Sequence, residues 1–527
     1  NGNVLRRIDP NGNVTAYTYD ALDRLTGITH ADGTTEALTY DRAHNLVGRT
    51  DANGSGITYT YDALHRRVRI DVARAPGVGG TTCQTFTWDG RSRLVAASDN
   101  NAPTDPADDN RLGLTYDSLS NRRSETRGAH TVSSTFDGVG NRLSLSYPGG
   151  TVLSYTYDAL NRVLSVVDAG GELARYAYAG PWRPIRCTNG NDTYTTYTYD
   201  GDRRVTEIVH RSSSDDALLS RFSYTYDRVG NRTSATTLPS GDTMTYTYDS
   251  LYRLSAAQGP DGDIAYTYDA AGNRVQVTRD NRSITYVANP VHEYERVNDE
   301  TRTHDANGNL LTCLFSSAQK RWSLYLPLTL RGYTSSTARV GEAAMGGAGA
   351  SSLTSTTPVT ETLVRYRYDF DDRLLGVSQV VTVTRSDDVA VSTDGVDYTY
   401  DALGYQVTRQ AEDDTVRYLY VNGGVIEERD ATDALIAAYV RGLIMDRAGA
   451  RSFYQMDALG STRAMADEIG QIMTRVDYDP FGTPRFSDGA ASARHNPYLF
   501  RGRYHDAANG LYTYGGRRYD PTTGRYV

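Results

Sequence analysis

The sequence predicts an all-β protein built as one long ribbon of β-hairpins. Three observations predict it. The tetrapeptide Tyr-Thr-Tyr-Asp, or a close variant, recurs along the chain, often at a spacing close to 21 residues or twice that. Asn-Gly and Asp-Gly turn dipeptides fall between the recurrences. Finally, 41 of the 527 residues are Tyr, while strong aliphatics are sparse. A fixed period of about 20 residues marks a repeat architecture, in which each repeat is one supersecondary unit.

The clearest copies place Tyr-Asp pairs at Tyr19-Asp20, Tyr61-Asp62, Tyr157-Asp158, Tyr199-Asp200, Tyr226-Asp227, Tyr248-Asp249, Tyr268-Asp269 and Tyr400-Asp401, with further Asp at Asp41, Asp117 and Asp369. In "YTYDALDRL" (Tyr17 to Leu25), Tyr17 and Tyr19 are two apart. On a strand their rings share one face and Thr18 takes the other. Asp20 ends the strand by hydrogen-bonding amides ahead of it, and "RLTGITH" resumes the alternation. The joining segments "DPNGN" (Asp9 to Asn13), "ADGTT" (Ala31 to Thr35), "DANGS" (Asp51 to Ser55) and "DANGN" (Asp305 to Asn309) carry the strongest short hairpin signal. Each period therefore holds two strands and two turns. A sheet of that length must twist, curl or close on itself.

Composition bounds the function. Amphipathic Tyr suits a thin sheet with partly wet faces better than a thick globular core. Of 55 basic residues only Lys320 is a lysine. Arg forks onto carboxylates and stacks on rings, so Asp–Arg and Arg–Tyr contacts are expected to lace the turns together. A net charge of −9 argues against a general nucleic-acid binder. No run of 18 apolar residues is present to span a membrane. Cys83, Cys187 and Cys313 are isolated, with no Cys-x-x-Cys, so neither a zinc site nor a redox motif is indicated. The chain opens on "NGNVLRRIDP" in mid-repeat and stops at "GRYV", and reads as a piece of a longer polypeptide with no signal segment in view.

Taken in order, residues 1–314 read as a Tyr-Asp hairpin region. Within it Trp88-Asp89 and Phe136-Asp137 are degenerate repeats, "APTDPADDN" (Ala102 to Asn110) and "RSSSDDALLS" (Arg211 to Ser220) are expected as exposed loops, and "RYAYAGPWRPIRC" (Arg175 to Cys187), with two Pro, is expected at a sheet edge or bend. Residues 315–362 are small and low in complexity, and read as an insertion or surface loop. Residues 363–438 return to the repeats, and 439–527 change character.

That last stretch holds an ordered motif set. "DALGSTR" contributes Asp457, Gly460, Ser461, Thr462 and Arg463. "YDPFG" contributes Tyr478, Asp479, Pro480, Phe481 and Gly482. Then follow Phe500, Gly502, Arg503, Asp506, Gly510, Leu511 and Tyr512, and finally Arg518, Tyr519, Asp520, Pro521, Gly524, Arg525 and Tyr526. With the upstream Tyr-Asp repeats, this resembles the core that closes the Rhs/YD-repeat family, which includes Rhs proteins, the C component of Tc toxin complexes and the YD shell of teneurins. Asn509, where Thr is usual, and Arg517-Arg518-Tyr519 are departures from the family pattern. The resemblance implies a hollow cocoon of spiralling hairpins closed by the core as a plug, around a C-terminal toxin or effector. It also implies an aspartyl self-cleavage whose D-P-x-G-L motif would follow Val527.

Each candidate chemistry has a structural counterpart. The Tyr-Asp pairs could stack on sugars, but they recur wherever turn chemistry needs them. The "DANGN" loops lack the distal Glu of a calcium loop. Ser461 is in no G-x-S-x-G elbow. His505 and Asp506 point to opposite faces of a strand. Asp479 and Asp520 each precede Pro in a turn. The sequons at Asn191, Asn231 and Asn281 are of a kind common by chance. The expectation is therefore a secreted or cell-surface bacterial shell with no catalytic residue, metal or cofactor in this segment, enclosing its own C-terminal effector. A B-component-like shell partner or a secretion-system component is a candidate partner. The alternatives are a teneurin-like adhesion or carbohydrate-binding protein that takes glycans, and a self-cleaving aspartyl protease with its active residues beyond Val527.

Overall fold

The computed structural model describes residues 2–102, 110–260, 262–280, 282–316, 360–385, 388–411, 414–487 and 496–527. The low-complexity stretch, apart from its ends, most of the loop expected after Ala102, and Asn281 lie outside the described residues. The fold is all-β. Among the described residues, 41 strands form a single meander from Arg6–Ile8 to Pro484–Phe486. Each strand pairs antiparallel with its neighbours in sequence, as in Ala16 opposite Thr29, Gly27 opposite Ala37 and Thr39 opposite Gly48. The ladder crosses residue 439 unbroken. A separate four-stranded sheet follows: His505–Asp506, Leu511–Tyr514, Arg517–Asp520 and Arg525–Tyr526.

The Tyr-Asp turn explains why the ribbon forms. One oxygen of the Asp20 carboxylate accepts the amides of Leu22 and Arg24 at 2.9 and 3.0 Å, and the other takes the Arg24 guanidinium at 2.8 Å. Asp23 donates its amide to the Asp20 carbonyl, and Asp20 to that of Arg24. Asp23 sits at φ 59°. This is a type I turn closed by a left-handed residue, a common three-residue hairpin loop, and the register slips by one between Thr18 and Tyr19 to admit it. The backbone amide of Arg24 is the largest influence on the Asp20 carboxyl and draws its pKa below the ordinary value. The same arrangement returns at Asp62, Asp158, Asp249 and Asp369.

Two longer reaches join each repeat to the next. The Arg four residues after the Asp donates to the carbonyl of the following turn's Asp: Arg24 to Asp41, Arg66 to Asp89 and Arg93 to Asp117, each at 2.8 Å. Its guanidinium lies over the following Tyr, 4.8 Å from Tyr40 for Arg24 and 4.7 Å from Tyr268 for Arg253. In the other direction the Tyr hydroxyl donates to a carbonyl one repeat back: Tyr19 to Val4, Tyr61 to Leu46, Tyr157 to Arg142, Tyr199 to Pro184, Tyr226 to Val205, Tyr248 to Arg232 and Tyr400 to Leu374. Where Asn replaces Arg, as at Asn45 and Asn273, the shorter amide closes on its own Asp and meets the His of the following turn, His65 or His292, instead of reaching the next Asp carbonyl. On the opposite face, Thr and Ser hydroxyls pair across strands, as in Thr115–Ser124 and Thr135–Ser144, both at 2.6 Å. Such cross-strand pairs each add a few tenths of a kcal/mol up to about 1.

The ribbon winds back on itself. Residues 226 to 303 positions apart hydrogen-bond across a seam: Asn11 with Asp269, Asn53 with Asp305, Arg127 with Asp401, Arg451 with Asp168, and Asn191 with the Asp467 carbonyl. Apart from a bridge between Gly79 and Asp369, the described circuits meet through turns and side chains rather than by strand pairing. Packing clusters join the circuits as well: Leu145, Leu153 and Leu173 pack with Leu419, Ile426 and Phe453.

The Pro-containing segment corrects the sequence expectation. Arg183–Asn189 is an interior strand, paired on both sides. Pro181 occupies the turn, and Pro184 stands opposite Tyr178 where the register shifts, a bulge position in which its missing donor interrupts no regular ladder bond.

At the seam, Arg373 pairs with Asp369 at 2.6 Å and approaches Asp99 at 3.8 Å, all three nearly inaccessible. Burial raises the Asp99 carboxyl to about 6, against the lowering influence of Gln84, Arg373 and Thr81. Because the folded pKa is the higher one, the folded state holds the extra proton between about pH 4 and pH 6, and stability from this group falls as pH rises through that window. We expect Asp99→Asn to gain roughly 2–3 kcal/mol relative to wild type between pH 4 and pH 7 in denaturant titrations. A gap between the two proteins that does not change with pH would refute this.

Candidate functional site

The site that the fold builds is the seat of the C-terminal sheet. The segment 496–527 is held by ribbon strands from three distant parts of the chain. Arg525 donates to the His292 carbonyl and to Asn273, with its guanidinium 4.0 Å from the Tyr294 ring. Leu511 packs into a cluster with Leu310, Leu374 and Tyr398. Tyr512 donates to the Gly482 carbonyl at 2.8 Å and Tyr519 to that of Phe481 at 2.9 Å.

At its centre is a buried polar network. Asp506 accepts the Tyr398 hydroxyl at 2.5 Å and Arg409 at 3.2 Å through both oxygens. Asn509 donates to the same Tyr398 hydroxyl at 2.6 Å and caps the Leu511 amide at 3.0 Å. Arg518 reaches Gln406 and the Tyr400 hydroxyl, with its guanidinium 4.8 Å from the Tyr398 ring. Burial pushes the Asp506 carboxyl up, but Arg409, the Tyr398 hydroxyl and the Ala508 amide more than offset it, and the net shift is downward. This is an ionised, paired carboxylate suited to holding the sheet in place.

The other motif residues occupy turns and joints around this centre. Gly460 has φ 73°, and its carbonyl lies against Gly502, itself at φ 60°. Ser461 accepts the Arg501 amide at 3.1 Å, and Thr462 donates to the Tyr498 carbonyl at 2.7 Å. Arg463 bonds the Val476 carbonyl and Asp477 and stacks on Phe222 at 5.1 Å. Tyr478 makes the repeat's backward hydroxyl bond, to Thr462 at 2.7 Å. Asp479 accepts the amides of Phe481, Gly482 and Thr483 in the turn that Pro480 opens. Phe481 lies 3.6 Å beneath the Arg274 guanidinium. Gly482, at φ 104°, leaves no room for a Cβ beside Phe500. Arg503 lies over Tyr514 at 4.7 Å. Gly510 donates to the Asp506 carbonyl at 2.8 Å. Asp520, followed by Pro521, accepts Thr522 and Thr523, and Gly524 donates to its carbonyl.

These placements bring together no nucleophile and base. The His505 ring packs on Tyr512 at 4.8 Å while Asp506 faces Arg409. Among the described residues no three His, Cys, Asp or Glu side chains are grouped as a metal site. The Tyr-Asp pairs of the first circuit sit in the hairpin turns; of the repeat pairs expected from sequence, Tyr400 of Tyr400-Asp401 touches this centre. Sequence reasoning missed Tyr398, Gln406 and Arg409, which sit in an ordinary-looking repeat and carry no local signal. Asn509, set down as a departure, turned out to be a ligand of Tyr398.

The family model for the RHS repeat matches residues 1–35, 40–75 and 136–173, and that for the teneurin YD-shell matches residues 390–527. The chain carries the repeat and shell signatures of the Rhs/YD-repeat family. Among curated proteins, the tRNA3(Ser)-specific nuclease WapA of Bacillus spizizenii is 25% identical over 169 residues, and the tRNA nuclease WapA of Bacillus subtilis 24% identical over the same length. Each match covers 31% of this chain and 7% of the relative. Among solved structures, TcdB2-TccC3-TEV has a TM-score of 0.65 at 17% identity, over 97% of this chain and 28% of that one. The Photorhabdus luminescens Tc holotoxin pore with a mutant TccC3 has a TM-score of 0.60 at 17% identity, over 99% of this chain and 28% of that one. At that identity the likeness is one of fold: this chain has the Rhs shell architecture.

Asp506→Asn takes from the largely buried Arg409 its buried counter-charge and leaves only the exposed Asp414 at 3.3 Å, a change that costs up to about 3–5 kcal/mol. Hydrogen exchange should show 496–527 loosening well before the strands of the first circuit. Unaltered protection of that segment would show that the network does not hold it.

Proposed function

We propose that this chain is the wall of an Rhs/Tc-type secreted or surface shell that encloses a C-terminal effector, and that its residues do mechanical rather than catalytic work. The observation that carries this is the winding of the ribbon around one small sheet: Asn273 and His292, Tyr398 and Arg409, and Ser461 and Gly482 all hold the segment 496–527. Such an arrangement ends a spiral on a plug. The likeness in fold to the Tc components supports the same reading.

A second feature supports a shell partner. At many Tyr-Asp-type turns of the first circuit the third residue is apolar and exposed: Leu22, Leu64, Leu119, Val139, Leu160, Val229 and Leu251, with Trp182 one place later in its turn, from 56% to 77% accessible, while Ala43, Arg91 and Asp202 hold the position in others. At turns seated on the other circuit the same position holds Ala271, Asn307 and Asp371 in some and Leu403 and Ile469 in others. A row of exposed apolar tips along one rim marks an interaction surface, and we assign it to a further shell component resembling the B partner of Tc complexes.

The test is protease protection of the intact natural gene product. A polypeptide distinct from the ribbon should resist added protease in the native particle and become digestible once denaturant opens the shell. If every segment outside the ribbon is cut at once under native conditions, the enclosing role is wrong.

A further inference from the structure

A cavity of about 480 Å³ lies where the two circuits pass each other, between the strands from Arg142–Ser146 to Gly171–Ala179 on one side and those from Thr415–Val421 to Leu435–Val440 on the other. Its volume falls in the range of small-molecule pockets. Each circuit contributes one wall, so the cavity exists only in the wound ribbon.

Much of the lining is aliphatic. Leu145 and Val166 of the first circuit and Ile426 and Val440 of the second belong to the core cluster that joins the circuits, and Val163 and Leu443 pack against it. An apolar group laid against them extends an existing core.

The free polar capacity is concentrated in two guanidiniums, those of Arg142 and Arg441. The Nε of Arg142 is buried without a hydrogen-bond partner, and the group rests on the Phe136 ring at 5.7 Å. The Arg441 side chain is exposed and, like that of Arg142, has no carboxylate partner among the described residues. This stands out in a chain of net charge −9, where arginines of the turns and seam, such as Arg66, Arg127 and Arg373, are matched to Asp. No acidic side chain lines the cavity. Glu427, whose charge bears on Tyr147, is already paired with Arg429 at 2.8 Å. A buried donor left unsatisfied is costly and calls for a partner.

The tyrosines have less to offer. Tyr147 donates to the Tyr439 carbonyl at 2.8 Å and Tyr178 to that of Val163 at 2.7 Å. A ligand rich in hydroxyls or amides would find few partners here. One with a single charged head and an apolar body matches both parts of the lining.

We propose that this cavity binds a carboxylate carried on an apolar chain, in the class of medium-chain fatty acids. Arg142 and Arg441 take the carboxylate, which a guanidinium fork matches in geometry and charge. The chain lies along Leu145, Val163, Ile426 and Leu443, where each methylene removed from water strengthens binding about fourfold. An alcohol of the same length brings no counter-charge, an amine is repelled, and inorganic phosphate leaves the aliphatic wall uncovered. The site needs only the two circuits side by side, so it stands whether or not the shell encloses an effector.

The experiment is calorimetric titration of the full chain with octanoate and decanoate, against octanol, octylamine, acetate, inorganic phosphate and N-acetyl-leucyl-leucine. Octanoate should bind, and decanoate about tenfold more tightly. Octanol, octylamine, acetate and phosphate should each bind at least about tenfold more weakly than octanoate. Arg142→Gln and, at an exposed position, Arg441→Gln should each weaken octanoate binding about tenfold while leaving octanol binding and the melting temperature of the unliganded protein unchanged. Absence of octanoate binding, octanol or acetate binding as tightly, or decanoate no tighter than octanoate would overturn the proposal. Arginine variants that fold and bind octanoate as wild type does would overturn it too. The dipeptide binding more tightly than octanoate would move the site to polypeptide C-termini and overturn the fatty-acid assignment.

Discussion

The whole wall depends on one carboxylate doing three things at once. In the Tyr-Asp turns that carry Arg four residues on, the Asp satisfies two backbone amides, fixes that Arg, and thereby aims it at the next repeat. The Tyr before it reaches back to the preceding repeat. A meander of 41 strands has no thick hydrophobic core to hold neighbouring hairpins in register. What it has instead is a chain of short reaches, forward by Arg and backward by Tyr, each satisfying a carbonyl at a turn edge where the ladder stops. Because every reach spans about one repeat, hairpins add one to the next, as nearest-neighbour interfaces do in repeat proteins.

Local reaches build a ribbon, and the seam makes it a spiral. There the chemistry changes character. Exposed turn contacts such as Asn11–Asp269 give way to buried charge, as in Arg373 between Asp369 and Asp99 or Arg127 between Glu125 and Asp401. Buried pairs add little net stability over apolar packing, yet losing one member is costly. That asymmetry suits a seam, because it punishes any slip that separates partners. The C-terminal sheet repeats the logic around Asp506, with tyrosines from the ribbon supplying the rest of the network.

The parts legible in the sequence are those set by neighbours along the chain. Tyr17, Thr18, Tyr19 and Asp20 announce a strand and its turn because the amides that Asp20 binds are two and four residues away. The motif residues from Gly460 to Arg525 were legible as a set through family resemblance, and several of them, including Gly482 and Gly502, sit where backbone geometry admits little else. The seam was not legible, since nothing near Asn53 signals Asp305. The partners of the C-terminal sheet stayed hidden for the same reason: Tyr398 and Arg409 look like any repeat residues until the ribbon has wound. Pro184 misled because a proline excluded from a regular strand is welcome at a bulge, and the bulges follow from the turns rather than from the proline.

The central claim is that the ribbon returns on itself after about one circuit, and a covalent cross-link tests it most directly. In a Cys83→Ser background, cysteines replace Asn11 and Ala271, which lie 260 positions apart and whose side chain and amide meet at 3.2 Å. Under mild oxidation the wound ribbon predicts rapid, nearly complete intramolecular disulfide formation, seen as a faster-migrating band on a non-reducing gel. A monomer that keeps both thiols free under those conditions would contradict the winding and the account built on it.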